Sequence, residues 1–310
     1  MQENDRGTDM DRFAGAERMV PAGELQLWTE EFGDPDDPAV LLLMGAGAQG
    51  VQWNDGFVRR LVAGGRRVIR YDHRDAGRSS TVDFATHPYT VADMAADALA
   101  VLDGLGVEQA HCVGASLGGV IAQRLAVTHP DRVLTLTALA SSPLGTDMAA
   151  IVGRAAAGLP PLPDQLPPPT GELLAALASA PPAAATDLEG YLSARMPLWR
   201  VLHGPELPYD EDEYRAMETR VYERARDLSA ALNHTLAGAA GSGAADELAG
   251  VAVPTLVLHG TADPMFPYPH AEALASAIPG ARLVPLPGMG HTLPSALDGR
   301  LAEEVLRHTA

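Results

Sequence analysis

The chain of 310 residues carries 22 basic and 40 acidic groups, a formal net charge of −18, and every basic residue is an arginine. Without lysine there is no Schiff-base aldolase, no pyridoxal-phosphate enzyme and no phosphate-loop NTPase, since each needs an amine or its compact charge. So acidic a surface repels phosphate backbones, and the arginine pairs Arg59-Arg60 and Arg66-Arg67 lie in apolar segments, so nucleic acid is set aside as a partner.

Apolar residues make up 46% of the chain and charged ones 20%, enough for a sizeable core. Cys112 is the single cysteine, so no intrachain disulfide can form. The segment Met1 to Arg18 is polar and acidic, is expected to be a loose tail, and contains no apolar run of signal-peptide type. No stretch reaches the roughly 18 apolar residues of a membrane span. A cytoplasmic protein that engages no membrane is expected.

In chain order, Glu24 to Glu30 alternates like a half-exposed strand. Ala39 to Met44, Val68 to Tyr71, His111 to Val113 and Val133 to Ala140 are nearly continuous apolar runs, as suits parallel strands covered on both faces. Between them, Thr90 can cap a helix with Asp93 three residues on, placing Val91, Met94, Ala98, Val101 and Leu105 on one side. Strand alternating with helix predicts an α/β fold. The rhythm breaks at Pro143, and no convincing strand follows until about Gly250. The prolines of Leu159 to Pro169 exclude helix and central strand. A helix is predicted from Asp210 to about Asp227, with its acids first and its arginines later. The α/β pattern resumes at Thr255 to His259 and Arg282 to Leu286, and a last helix carries Leu297, Leu301 and Val305. The expected organisation is a tail (1–18), an α/β core (19–143 and 250–310) and an inserted helical cap (144–249).

The run His111-Cys112-Val113-Gly114-Ala115-Ser116-Leu117-Gly118-Gly119 is a strand feeding G-x-S-x-G and then a helical pattern. That context marks a nucleophile on a sharp strand-to-helix turn, with Gly114 and Gly118 permitting the turn and Gly119 letting the helix approach the sheet. Serine needs an oriented base. The partners are expected in the order serine, acid, histidine. Asp263 directly follows the strand Thr255 to His259, and His291 follows the next strand, leaving chain for one helix between them. Asp147 is the rival acid. Of the other histidines, His111 and His259 lie in or at the end of strands and His129 near a helix end. His73, His87, His203, His234, His270 and His308 lack a matching loop context. The oxyanion donors are expected to be the backbone N–H groups of Leu117 and of Ala46, the latter in the small-residue loop Met44 to Ala48. The scheme calls for no metal and no cofactor.

These residues resemble those of the α/β-hydrolase superfamily, which implies a mostly parallel eight-stranded sheet flanked by helices, with an inserted helical cap. Members often carry His-Gly where this chain has Met44-Gly45. In the loop RYDHRDAGRS, Asp72 and Arg74 are read as tying the turn together. A nearer likeness is to the aclacinomycin methylesterases, carried by MVPAGELQLWTEEFGDP, RYDHRDAGRS, PGMGHTLP, Leu198-Trp199-Arg200 and the acidic stretch Pro208 to Tyr214. It implies hydrolysis of a methyl ester on an anthracycline-like aromatic polyketide, after which carbon dioxide can be lost. The small-molecule aromatic ester would then meet Met196 and Trp199 in the cap, with Arg195 and Arg200 as the cations to examine first. Serine at the elbow leaves open enol-lactonases, C–C bond hydrolases and cofactor-free perhydrolases. A ligand-binding scaffold without turnover is the non-enzymatic alternative. Oligomeric state stays open.

Overall fold

Eight strands form one sheet: β1 (Ala16–Ala22), β2 (Leu25–Phe32), β3 (Ala39–Leu43), β4 (Arg67–Tyr71), β5 (Ala110–Ala115), β6 (Val133–Leu139), β7 (Thr255–Gly260) and β8 (Arg282–Leu286). The computed structural model describes residues 15–179, 187–239 and 243–310. The sheet order is β1-β2-β4-β3-β5-β6-β7-β8. Strands β1, β2 and β4 pair antiparallel, and from β4 to β8 every pair is parallel. The α/β-hydrolase architecture expected from the sequence is the one observed.

Strand β1 is a correction: it begins at Ala16, within the segment read as a tail, and runs beside β2 along its whole length. Only Val20 and Ala22 of its side chains are buried, so an edge strand containing Pro21 presents almost no alternation to read. The rest of the tail, residues 1–14, lies outside the described residues.

The central strands are buried on both faces, which is why they read as continuous apolar runs. In β3, Leu41 and Leu43 join one cluster while Val40 and Leu42 join the other. The first cluster receives α2 (Val91–Gly104), α3 (Leu117–Thr128) and α9 (Pro269–Ala277); the second receives α1 (Asp55–Ala63) and α10 (Asp298–His308). Helix α2 starts on the Thr90–Asp93 capping box, with Asp93 Oδ2 accepting the Thr90 N–H at 2.8 Å. Between β6 and β7 lie α4 (Met148–Ala156), α5 (Gly171–Ser179), α6 (Leu188–His203), α7 (Glu211–Arg224) and α8 (Asn233–Ala239), with no strand among the described residues. Helix α7 is capped by Asp210, which accepts the N–H groups of Asp212 and Glu213. No helix of the described residues is long and apolar enough to cross a membrane.

Parallel strands put their C-terminal ends at one sheet edge, and the loops leaving those ends form a crevice. Here the ends of β3, β5, β7 and β8 deliver Met44 to Ala48, Ser116, Asp263 and His291 to that edge.

Candidate active site

Strand β5 ends at Ala115, α3 begins at Leu117, and Ser116 makes the corner with φ 53° and ψ −119°. A non-glycine residue in this region stores on the order of 1–3 kcal/mol, held by its surroundings. The Ser116 N–H donates to the Leu139 carbonyl at 2.9 Å, and the Ser116 carbonyl accepts from Ser141 Oγ at 2.8 Å. The strain falls on the serine rather than on the glycines: none of Gly114, Gly118 and Gly119 has a positive φ. They are needed for space, since a Cβ at Gly118 would overlap the Leu43 carbonyl and one at Gly114 the Gly118 carbonyl.

His291 Nε2 stands 3.1 Å from Ser116 Oγ, and His291 Nδ1 stands 2.9 Å from Asp263 Oδ2. A carboxylate only accepts, so Nδ1 carries the proton and Nε2 is left to receive one from Ser116. The other Asp263 oxygen accepts the N–H groups of Met265 and Phe266 at 2.8 and 2.9 Å. Burial works to raise the Asp263 carboxyl, but His291, His259 and the Phe266 N–H together outweigh it and hold the group below its ordinary range. His259 is kept neutral by burial and donates from Nε2 to the Phe266 carbonyl at 2.7 Å, bracing the acid loop from below. The Phe266 ring meets the edge of the His291 ring at 5.3 Å. The structure therefore brings Ser116, Asp263 and His291 into one hydrogen-bonded series. The rival Asp147 serves as N-cap of α4, accepting the Ala150 N–H.

The acid and histidine loops are tied to each other and to the cap. Ala262 N–H donates to Met289 O at 3.1 Å, and Gly288 N–H to Thr261 Oγ1 at 2.9 Å. His291 N–H donates to Leu202 O, in the last turn of α6, at 2.7 Å. Gly290 lies so close to this turn that a Cβ would overlap the carbonyls of Leu202 and His203. His203 Nδ1 and Thr292 Oγ1 meet at the Tyr214 hydroxyl, 2.8 and 2.7 Å away.

The loop after β3 lies directly beside Ser116: a Cβ on Gly45 would be 3.2 Å from that of Ser116. Ala46 and Leu117 thus flank the serine, one on this loop and one in the first position of α3. Gly47, with φ +71°, and the Ala48 N–H to Gly45 carbonyl bond of 3.2 Å shape residues 45–48 into a turn of type II character.

Further residues singled out in the sequence meet the following partners. Asp72 does tie its loop, accepting from the Gly50 and Arg78 N–H groups, but its ion-pair partner is the cap's Arg224 at 2.8 Å. Arg74 turns away to Asp97 of α2, 2.6 Å distant. In the cap, Trp199 donates its indole N–H to the buried Glu218 and stacks on Tyr214 at 5.4 Å, and Met196 packs in the same cluster. Arg195 pairs with Glu218 at 3.2 Å, and Arg200 with Glu211 at 2.8 Å. These bonds and ring contacts of Trp199, Arg195 and Arg200 are to other cap residues. Sequence reasoning passed over His73 and His234, whose partners lie on distant elements and leave no local signal.

A family profile described as the alpha/beta hydrolase fold matches residues 38–294. The chain belongs to the α/β-hydrolase family. It is 43% identical over 292 residues to rhodomycin D methylesterase DnrP of Streptomyces peucetius, covering 94% of this chain and 97% of that one. It is 42% identical, with the same coverage, to rhodomycin D methylesterase DauP of Streptomyces sp. strain C5. Among solved structures, a hydrolase from Pseudomonas aeruginosa superposes with a TM-score of 0.70 at 25% identity, over 95% of this chain and 98% of that one.

Proposed function

We propose that the protein is a serine carboxylesterase that hydrolyses a methyl ester on an anthracycline-type aromatic polyketide. The observation that carries this reading is the Ser116–His291–Asp263 hydrogen-bonded series in a chain 43% identical, almost end to end, to rhodomycin D methylesterase.

In this mechanism Ser116 Oγ attacks the ester carbonyl carbon while His291 Nε2 takes its proton. Asp263, held ionised, fixes the Nδ1–H tautomer and stabilises the imidazolium. The N–H groups of Ala46 and Leu117 receive the oxyanion of the tetrahedral intermediate. On collapse the C–O bond to the methoxy group breaks, and His291 returns the proton so that methanol leaves. Water, deprotonated by the same imidazole, then cleaves the acyl-enzyme to the free acid and regenerates Ser116. A cytoplasmic setting accords with a chain whose single cysteine is buried and unpaired.

The test is turnover of an anthracycline methyl ester and of a p-nitrophenyl acyl ester by wild type and Ser116→Ala. We expect the variant to lose at least about a thousandfold in kcat on both. Undiminished turnover by the variant overturns the proposal, and hydrolysis of the simple ester alone by wild type overturns the assigned substrate.

A further inference from the structure

Two buried histidines grip the loop after β3 on either side of Ala46. His73 Nε2 donates to the Met44 carbonyl at 3.0 Å. His234, from α8 of the cap, accepts the Gly47 N–H on Nδ1 at 2.9 Å and donates from Nε2 to the Arg74 carbonyl at 2.6 Å. The two rings meet edge to face at 5.8 Å, and each is about 1% exposed. An imidazole that accepts on one nitrogen and donates from the other must be neutral, so the contacts of His234 define a single tautomer.

The residues held are the ones that matter to the turn. In the run Met44 to Gly47, the peptide carrying the Ala46 N–H has one neighbour on each side. The preceding peptide is anchored through the Met44 carbonyl, and the following one through the Gly47 N–H. That following peptide is the central unit of the turn, the one whose plane flips when a turn changes between type I and type II. His234 therefore selects its orientation. The cap reinforces the grip farther along, where Gln49 Nε2 donates to the Val221 carbonyl at 2.8 Å and Arg224 Nε donates to Gln49 Oε1 at 3.2 Å.

We infer that His234, with His73, is a positioning residue for the oxyanion hole, so that the cap sets the aim of the Ala46 N–H at the reacting carbonyl. This deepens the esterase reading and rests on it. A donor aimed where charge develops acts on the transition state more than on the bound ester, so its misalignment lowers kcat while sparing KM.

The test compares three substitutions that keep different halves of the ring's bonding. In His234→Asn the side-chain oxygen stands near the position of Nδ1 and can still accept from Gly47. His234→Gln reaches toward Arg74 with its amide but abandons Gly47, and His234→Leu keeps only bulk. Two readouts are taken with each: steady-state hydrolysis of a p-nitrophenyl acyl ester, and the rate of Ser116 labelling by a fluorophosphonate, whose P=O occupies the same hole. We expect Leu and Gln to lose about ten- to a hundredfold in kcat with KM within about threefold, and a similar factor in labelling rate. Asn should recover to within about threefold of wild type. Equal rates for Asn and Gln, a kcat for Leu within twofold of wild type, or a loss that falls on KM would each overturn the assignment. If Leu fails to fold, the Asn and Gln pair still decides. Failure of wild type to label while Ser116→Ala behaves identically would instead sink the esterase reading beneath it.

Discussion

At the scale of single residues, function is concentrated where local geometry is least relaxed. Ser116 occupies its positive-φ corner because Gly114 and Gly118 clear the backbone around it. Gly118→Ala should therefore be worse than an ordinary helix substitution. The Leu43 carbonyl in its way belongs to a central strand and has nowhere to go, so a loss of several kcal/mol in urea unfolding is expected, on the order of the largest single-residue effects. Asp263→Asn tests electrostatics instead. An amide beside His291 Nδ1 favours the wrong tautomer, and kcat should fall by about 10⁴ at neutral pH. The sign of the accompanying pH effect is fixed by direction. The folded Asp263 carboxyl lies below its ordinary value despite burial, because His291, His259 and the Phe266 N–H favour the charged form. Its contribution to stability is thus complete above the unfolded value of about 3.9 and is lost as pH falls through the lower folded one. Melting temperatures of wild type and Asp263→Asn should converge in strong acid.

At the scale of elements, two buried carboxyls each join a helix to its neighbours. Glu218 of α7 receives the Tyr191 hydroxyl, the Trp199 indole N–H and Arg195, all from α6. Glu218→Ala would leave three donors without their acceptor, and we expect a loss of about 1–3 kcal/mol in urea unfolding. Asp298, at the start of α10, has its carboxyl pushed up to about 6, chiefly by burial, with Glu213 adding to it and the Asn54 amide only partly compensating. Here the folded value is raised, so the stabilising share is full below about pH 4 and disappears as pH rises through about 6. Asp298→Asn should raise the melting temperature relative to wild type at pH 8, with the gap closing by pH 4. What the sequence disclosed follows the same division. Strands β3, β5, β6 and β7 were legible because burial on both faces leaves apolar runs, and Ser116, Asp263 and His291 were legible because each follows a strand in a fixed order. Strand β1 was not, since its exposed face carries no pattern. Nor were the roles of Trp199 and Arg195 inside the cap, or those of His73 and His234. An aromatic or a histidine looks the same in sequence whether it faces a ligand, a carboxylate from the next helix or a backbone carbonyl far along the chain.

At the scale of the whole molecule, the cap and the core share the site. The His291 N–H is satisfied by Leu202, and the Gly47 N–H by His234, so both amides are protected by cap residues although they belong to core loops. Native-state hydrogen exchange should show these two amides opening together and with the end of α6, faster than the N–H groups of β5 and β6. Exchange of either amide at the rate of the central strands would contradict this coupling. The last turn of α6, set against Gly290 with no room for a Cβ, also bears on how such an enzyme can diversify. A segment that completes the resting geometry of the histidine cannot be swapped freely between relatives, and the same holds for the start of α5, where the Thr170 N–H donates to Pro264 O beside Asp263 at 2.8 Å and Pro167 O meets His270 Nε2 at 2.8 Å. Recombination that imports a foreign 148–165 stretch, short of these two bonds, should yield active chimaeras with altered selectivity. An exchange cut between Leu202 and His234 should yield folded proteins with disabled chemistry, so the heritable variation in this insertion is expected to accumulate at its N-terminal end.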